Sequence, residues 1–177
     1  MGRSSGKKHP ELGARSRARA RAVEILYEAE SRDKDVLDVL AERRRRYMED
    51  PHEAPRLPAY SQELVESVAD HLREVDGAIT SASQGWTLDR MPAVDRNILR
   101  VAANEILFRE DVDDVVAIKE AMRVAEQLGS SDDPAFYNAV LDRIARESAR
   151  AAQSGPNADA EPAPGGADTV DEGGERA

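Results

Sequence analysis

The chain has 177 residues and no cysteine, so its length fits one ordinary domain, and disulfide bonds and thiolate metal sites are excluded. Apolar residues make up 40% of the sequence but aromatic residues only 4%, which favours packed helices over a β-sandwich, and no apolar run approaches the roughly 18 residues of a membrane span. The formal net charge of −10 argues against general affinity for nucleic acid, so we expect any contact with a polyanion to be local.

The first elements are predicted from composition and apolar spacing. Residues 1–13 are rich in Gly, Ser and Lys, and we expect a disordered basic extension. No apolar segment follows it, so we expect no secretory signal and a cytoplasmic location. A helix is predicted over 14–31, where apolar residues recur at helical spacing. Asp33 or Asp35 can cap a second helix that ends near residue 48.

Proline and glycine delimit the later elements. Three prolines between residues 51 and 58 predict a loop, and a single helix is expected over 60–81. The segment 85–92 is a connection, with Pro92 in the first turn of the helix that follows. Apolar periodicity then places three more helices, over 92–108, 113–128 and 134–148.

The predicted fold is all-α, a compact bundle of about six to seven helices. No segment shows the alternating pattern of a β-strand. We assign the folded domain to residues 14–150. Beyond it the chain turns to Ala, Gly, Pro and acids without periodicity, so residues 151–177 are expected to form a disordered acidic tail.

Arginines occupy every second position near the start of the first helix, at Arg15, Arg17, Arg19 and Arg21. Residues 1–23 carry seven cations against one acid, whereas residues 152–177 carry six acids against one arginine. Guanidinium groups bind phosphate oxygens and stack on exposed bases. The alternative is a solvated helix surface, but Arg17 and Arg19 have no acid within four residues. The pattern therefore favours a polyanion-binding surface.

Two neighbouring features have alternative interpretations. Tyr27 either stacks on an unpaired base or lies at the rim of the core. The four arginines at 43–46 form a second basic run. Because Glu42, Glu49 and Asp50 lie close by, we interpret this run as a solvated helix face.

No catalytic or metal-binding pattern is present in the sequence. The three histidines lie far apart, no phosphate-binding loop occurs, and no spacing singles out a pair of carboxylates. We therefore expect neither a cofactor nor an enzymatic activity. Trp86 is expected to fill the core between two helices, and Asn138 either makes buried hydrogen bonds or faces a ligand.

Three stretches carry a family resemblance. The arginine-rich helix ends in Ala-Val-Glu-Ile-Leu-Tyr, the segment 88–108 begins Leu-Asp-Arg-Met-Pro-Ala-Val-Asp-Arg, and the segment 115–146 contains Phe-Tyr-Asn-Ala-Val-Leu-Asp. In order and spacing these stretches resemble the NusB family of bacterial transcription antitermination factors, and its actinobacterial members in particular. Two positions depart from the family pattern. Ser16 interrupts what is often a continuous arginine run, and Ala139 stands where the family usually has glycine.

The resemblance implies a fold of two packed helical subdomains and a non-enzymatic function. Proteins of this family bind the boxA sequence of nascent RNA, typically with the small-subunit ribosomal protein NusE. They join other Nus factors and RNA polymerase to suppress premature termination, notably on ribosomal RNA operons. The resemblance also implies a set of RNA-contacting residues, namely Arg15, Arg17, Arg19, Arg21 and Tyr27, with Asp132 and Phe136 beside them. Asp95 falls where the family meets NusE.

Other functions fit the same sequence. The chain could be a protein–protein scaffold whose basic helix docks an acidic partner without meeting RNA, or a module that recruits substrate for an RNA-modifying enzyme. Self-association as a homodimer and pairing with NusE would hide the same apolar surface, and they look identical in sequence.

Overall fold

The computed structural model describes residues 13–128 and 134–154. Within these ranges the chain forms seven α-helices, one 3-10 turn at Leu88–Arg90 and no strand, so the all-α prediction is confirmed. The helices are α1 (Ala14–Ser31), α2 (Val36–Glu49), α3 (Ala59–Asp70), α4 (Leu72–Ala82), α5 (Ala93–Phe108), α6 (Asp114–Leu128) and α7 (Pro134–Gln153).

The first two helices form as the local sequence predicts. α1 has the predicted bounds, and its apolar stripe is buried. Asp35 rather than Asp33 caps α2, because its carboxylate accepts a hydrogen bond from the Leu37 backbone N–H at 2.8 Å. This bond satisfies one of the N–H groups that the first turn of a helix leaves without a partner. Asp33 instead takes a left-handed φ of 49° in the turn between the helices.

The prediction of a single helix over 60–81 is wrong, because the helix breaks at His71. The backbone there has φ −116° and ψ 21°, which separates α3 from α4. The His71 ring stacks on Phe108 with 3.9 Å between ring centroids, and its Nδ1 lies 2.9 Å from the carbonyl oxygen of Ser67. Apolar spacing continues through the break, yet Leu72, a member of that pattern, is exposed.

α5 is the central helix of the bundle. It packs against α1 and α3 on one side and against α4, α6 and α7 on the other. α1, α2 and α3 also pack on one another, while α7 packs on α4 and α6. The helices therefore form two groups, and α5 packs against both of them.

Trp86, which was expected to fill the core, and Asn138, for which buried hydrogen bonds were one of two expectations, both lie at the surface. Trp86 is 55% exposed, because it belongs to the turn that follows α4 rather than to the apolar face of a helix. Asn138 is exposed on α7, next to the fully buried Tyr137, so it does not form the buried hydrogen bonds that we considered.

The ends of the described chain refine the predicted limits. Pro92 is the N-cap of α5 rather than a member of its first turn. α7 continues to Gln153, past its expected end near residue 148 and past the domain limit placed at 150. The predicted basic extension and most of the predicted tail lie outside the described residues. In the described ranges, no helix has the length and apolar character needed to cross a bilayer.

Candidate nucleic-acid interface

α1 presents only part of its arginine row to solvent. Arg15 and Arg17 are exposed, and Arg21 is half-buried. Arg17 and Arg21 are four residues apart, so they lie on one face of the helix. The Arg21 Nη1 donates to Glu24 at 2.6 Å, while Arg15 lies on another face, with its Nη2 3.5 Å from an Asp111 carboxylate oxygen.

The predicted exposure of Arg19 is wrong, and the structure does not place this residue where RNA could reach it. Arg19 is 3% exposed, and its guanidinium lies between Glu105 of α5 and Glu120 of α6. The Nε atom is 3.0 and 2.9 Å from the two Glu105 carboxylate oxygens, and Nη1 is 3.4 Å from Glu120. Burial alone would lower the pKa of Arg19, but the hydrogen bond and the charge of Glu105 outweigh it and raise that pKa. A buried charge requires such partners, and here they bind α1 to α5 and α6.

Two hydroxyl groups and a surface arginine complete this buried network. Tyr60 of α3 donates from its hydroxyl to Glu105, and Ser16 donates from its hydroxyl to Glu120. Arg123 donates to the second Glu120 oxygen at 2.6 Å. Burial, and then the hydrogen bond to a carboxylate, raise the pKa of the Tyr60 hydroxyl well above its usual range. Each buried carboxylate is therefore held by more than one donor.

A second face of α1 borders an open valley. We call this the α1 valley, and its lining residues are Val23, Glu24, Tyr27, Glu28, Ser31, Arg32, Arg43, Val94 and Leu128. Tyr27 is 43% exposed within it. The volume of about 440 Å³ lies in the range of small-ligand sites. The α1 valley can therefore accept a planar ring beside the exposed part of Tyr27.

Both acids that line the α1 valley are paired with arginines. Glu24 accepts a hydrogen bond from Arg21. The Glu28 carboxylate accepts from Arg43 of α2 at 2.8 and 2.6 Å and from Arg32 at 2.6 Å. Partial burial by itself raises the pKa of Glu28, but the hydrogen bonds from Arg43 and Arg32 outweigh it and lower the pKa. Glu28 is thus a paired carboxylate, and it repels an incoming anion less than a free one would.

The other predicted site residues lie nearer α7. Phe136 is half-buried, and its aromatic neighbours are Trp86 at 5.7 Å and Tyr137 at 6.3 Å between ring centroids. Asp95 is 8% exposed and accepts a hydrogen bond from the Tyr137 hydroxyl at 2.7 Å, which joins α5 to α7. Asp132 lies outside the described residues. Of the predicted site residues on α1, the structure leaves Arg15, Arg17 and Tyr27 exposed and Arg21 half-buried, with Tyr27 on a different face from Arg17 and Arg21.

Comparison with known proteins identifies the family. A sequence model described as the NusB family matches residues 16–146. The chain belongs to the NusB family. It is similar to the transcription antitermination protein NusB of Salinispora arenicola, with 46% identity over 139 residues that cover 78% of this chain and all of the relative.

Solved NusB structures share the fold. The structure of T. maritima NusB is 30% identical, covers 77% of this chain and 94% of its own, and superposes with a TM-score of 0.63. A structure of the antitermination factors NusB and NusE with double-stranded RNA is 23% identical and covers 76% of this chain and 99% of its own, with a TM-score of 0.61. At that identity the second likeness shows the fold alone.

Sequence reasoning missed the residues that anchor the NusB arginine helix. Glu105 and Glu120 lie 86 and 101 residues from Arg19, so a search for acids within four positions could not find them. One signal was present, because Asn104 and Glu105 together interrupt an otherwise apolar stretch from Ala102 to Leu107. Ser16, which departs from the NusB arginine run, is buried against Glu120 in this chain.

Proposed function

We propose that this NusB protein is a non-enzymatic transcription antitermination factor that acts in the cytoplasm. It binds boxA in nascent ribosomal RNA together with NusE, and joins other Nus factors and RNA polymerase to suppress premature termination. The observation that carries the proposal is the 46% identity to a transcription antitermination protein NusB over that protein's whole length. The family match covers residues 16–146, which include Arg17, Arg21 and Tyr27; together with Arg15 we call these residues the α1 surface.

The chemistry of the α1 surface supports RNA as the ligand. Arg15, Arg17 and Arg21 present guanidinium groups that match phosphate oxygens, and Tyr27 presents a ring on which an unpaired base can stack. Single-stranded RNA is recognised by this combination of cations and aromatic rings. Arg19 leaves the set of proposed RNA contacts, because its charge is paired inside the bundle.

The remaining predicted contacts are part of the same proposal. The resemblance to NusB proteins adds Phe136 and Asp132 to the proposed RNA contacts, although Asp132 lies outside the described residues. We assign Asp95 and the start of α5 to the contact with NusE. A solved complex of the antitermination factors NusB and NusE with double-stranded RNA supports NusE as the partner in this proposal.

Binding to boxA tests the proposed function. We expect the full chain to bind a single-stranded boxA oligomer more tightly than a scrambled oligomer of the same composition, and NusE to increase the difference. Fluorescence anisotropy at one fixed salt concentration measures both affinities, since protein–RNA affinity depends strongly on salt. A protein scaffold predicts no RNA binding even with NusE. A recruiting module predicts co-purification with an RNA-modifying enzyme instead.

Arg17→Ala should weaken boxA binding without changing the melting temperature. The side chain is exposed on α1, and each phosphate contact to a single strand contributes about 0.7 to the slope of log K against log salt. We expect the slope to fall by about that amount in a salt titration. The control is Arg73→Ala, which removes an exposed arginine from α4. If both variants keep the parent slope, Arg17 does not contact a phosphate.

A further inference from the structure

The arginine run at 43–46 of α2 does not behave as one solvated face. Arg43 binds Glu28 of α1, with its Nε and Nη2 at 2.8 and 2.6 Å from one carboxylate oxygen. Arg44 points to the other neighbour of α2, where its Nη2 lies 2.6 Å from Glu66 of α3. The run is therefore divided between the α1 side and the α3 side of the helix.

Arg46 differs from these two arginines because no acid neutralises it. It is exposed, and among the residues that the structure describes no carboxylate oxygen lies within 4.0 Å of its guanidinium. It follows Arg43 by three positions, so the two share one side of α2, and Arg46 lies about 4.5 Å further along the helix axis.

The pairing of α1 with α2 shows where Arg46 lies. Arg32 pairs with Glu42, and Glu28 pairs with Arg43, so positions on α1 fall as positions on α2 rise. The helices are therefore antiparallel, and Arg46 lies beyond Arg43 in the direction of Glu24. Arg43 stands on the α2 wall of the α1 valley, across α1 from Val94 and Leu128. Arg46 is not a lining residue and lies just past this wall, about one turn of α2 beyond Arg43.

We infer that Arg46, just past the α2 wall of the α1 valley, binds the phosphate backbone of RNA. This inference rests on the proposed RNA-binding function and extends its site from α1 to α2. If a base stacks on Tyr27, the RNA backbone attached to that base can cross α1 towards α2. An unpaired guanidinium is available there to bind a phosphate. Arg43 and Arg32 already neutralise Glu28 between the two walls, so an anion meets no free carboxylate from that residue on the way.

An RNA strand fits these observations better than an acidic protein segment. The α1 valley presents the exposed part of the Tyr27 ring, and the unpaired cation of Arg46 lies just past its α2 wall. Nucleotides offer a flat base and a phosphate at each step, whereas an acidic peptide offers charge without a stacking partner.

Arg46→Gln in the full chain tests the inference. We expect affinity for boxA to fall about threefold to tenfold, the size of one charge-assisted contact at a partly exposed site, and the salt slope to fall by about 0.7. A scrambled oligomer should lose the same factor, because phosphate contacts carry no sequence information. Arg46→Lys should keep most of the affinity, and the control Arg73→Gln on α4 should bind like the parent.

The outcomes separate this inference from the proposed function. If the parent protein prefers boxA while Arg46→Gln keeps the parent affinity and slope, the inference is overturned and the proposed function stands. If Arg46→Gln loses affinity for boxA only, a phosphate contact is excluded. If the parent protein does not bind boxA, both proposals fail. Thermal melting of Arg46→Gln should match the parent, because no acid among the described residues pairs with this side chain.

Discussion

Arg19→Met is expected to lower the free energy of unfolding by about 3–5 kcal/mol, although the residue belongs to a row of apparent surface arginines. The substitution removes the cation that pairs with Glu105, which is fully buried. Glu105 would then keep only the hydrogen bond from Tyr60, and a buried carboxylate without a countercharge is strongly destabilising. Glu120 is affected less, because Arg123 and Ser16 still hold it. Urea denaturation of the parent and the variant measures the difference.

A second substitution shows whether the lost charge pairing is the cause. Glu105→Gln added to Arg19→Met removes the uncompensated charge, so the double variant should recover more than half of the lost stability. Arg17→Met is the matched control, because it changes the same residue type at an exposed position two residues earlier, and surface changes usually stay within about 0.5 kcal/mol. Equal stability of Arg19→Met and Arg17→Met would show that the buried network does not stabilise the fold.

The buried network divides the arginine helix into two functions. Ser16 and Arg19, three residues apart, attach one face of α1 to the bundle through Glu105 and Glu120. The exposed Arg17 lies on another face of α1. Because the first face is attached to α5 and α6, the whole helix keeps a fixed orientation in the bundle, and Arg17 is held with it. Exposed guanidinium groups on an immobilised helix lose less conformational freedom on binding a phosphate than groups on a loose segment would.

Local sequence predicted most of the helices and not the contacts between them. The bounds of α1 follow from apolar spacing within 18 residues, and Asp35 caps α2 through a hydrogen bond only two positions away. The break at His71 depends on stacking against Phe108, a residue 37 positions later, so no local pattern could show it. Trp86 is exposed for a related reason, because its place in a turn removes it from any helical face.

The candidate site was likewise predictable only where its residues are close together in the sequence. Tyr27 and the exposed arginines lie along one helix, so their order along α1 and the shared face of Arg17 and Arg21 follow from the helical repeat. The inward turn of Arg19 depends on two acids about one hundred residues away, and the role of α2 in forming the α1 valley depends on the pairing of Arg43 with Glu28. The spacing of residues along the sequence does not show which distant segments will be in contact. The sequence therefore predicts the residues of each helix better than it predicts the site that several helices form together.

Tyr27→Ala is expected to weaken boxA binding about tenfold or more, the effect of losing a ring that stacks on a base. Tyr27→Phe should bind nearly as well as the parent, because phenylalanine keeps the stacking face and loses only the hydroxyl. The ring is 43% exposed, so its truncation removes less buried surface than the truncation of a core aromatic residue, which costs about 3–5 kcal/mol. Anisotropy titrations and thermal melts on the same two variants separate binding from stability.

Phe108→Ala provides the matched control for Tyr27. Phe108 is also an exposed aromatic residue, but it stacks on His71 at the other end of α5 from Val94, which lines the α1 valley. Its truncation should lower stability through the lost stacking and leave the affinity of the folded protein for boxA unchanged. Tyr27→Ala should show the opposite pattern, with a large loss of affinity and a small loss of stability. If Tyr27→Ala instead melts like a core variant and binds boxA normally, the ring belongs to the rim of the core, and the arginines of the α1 surface bind RNA without it.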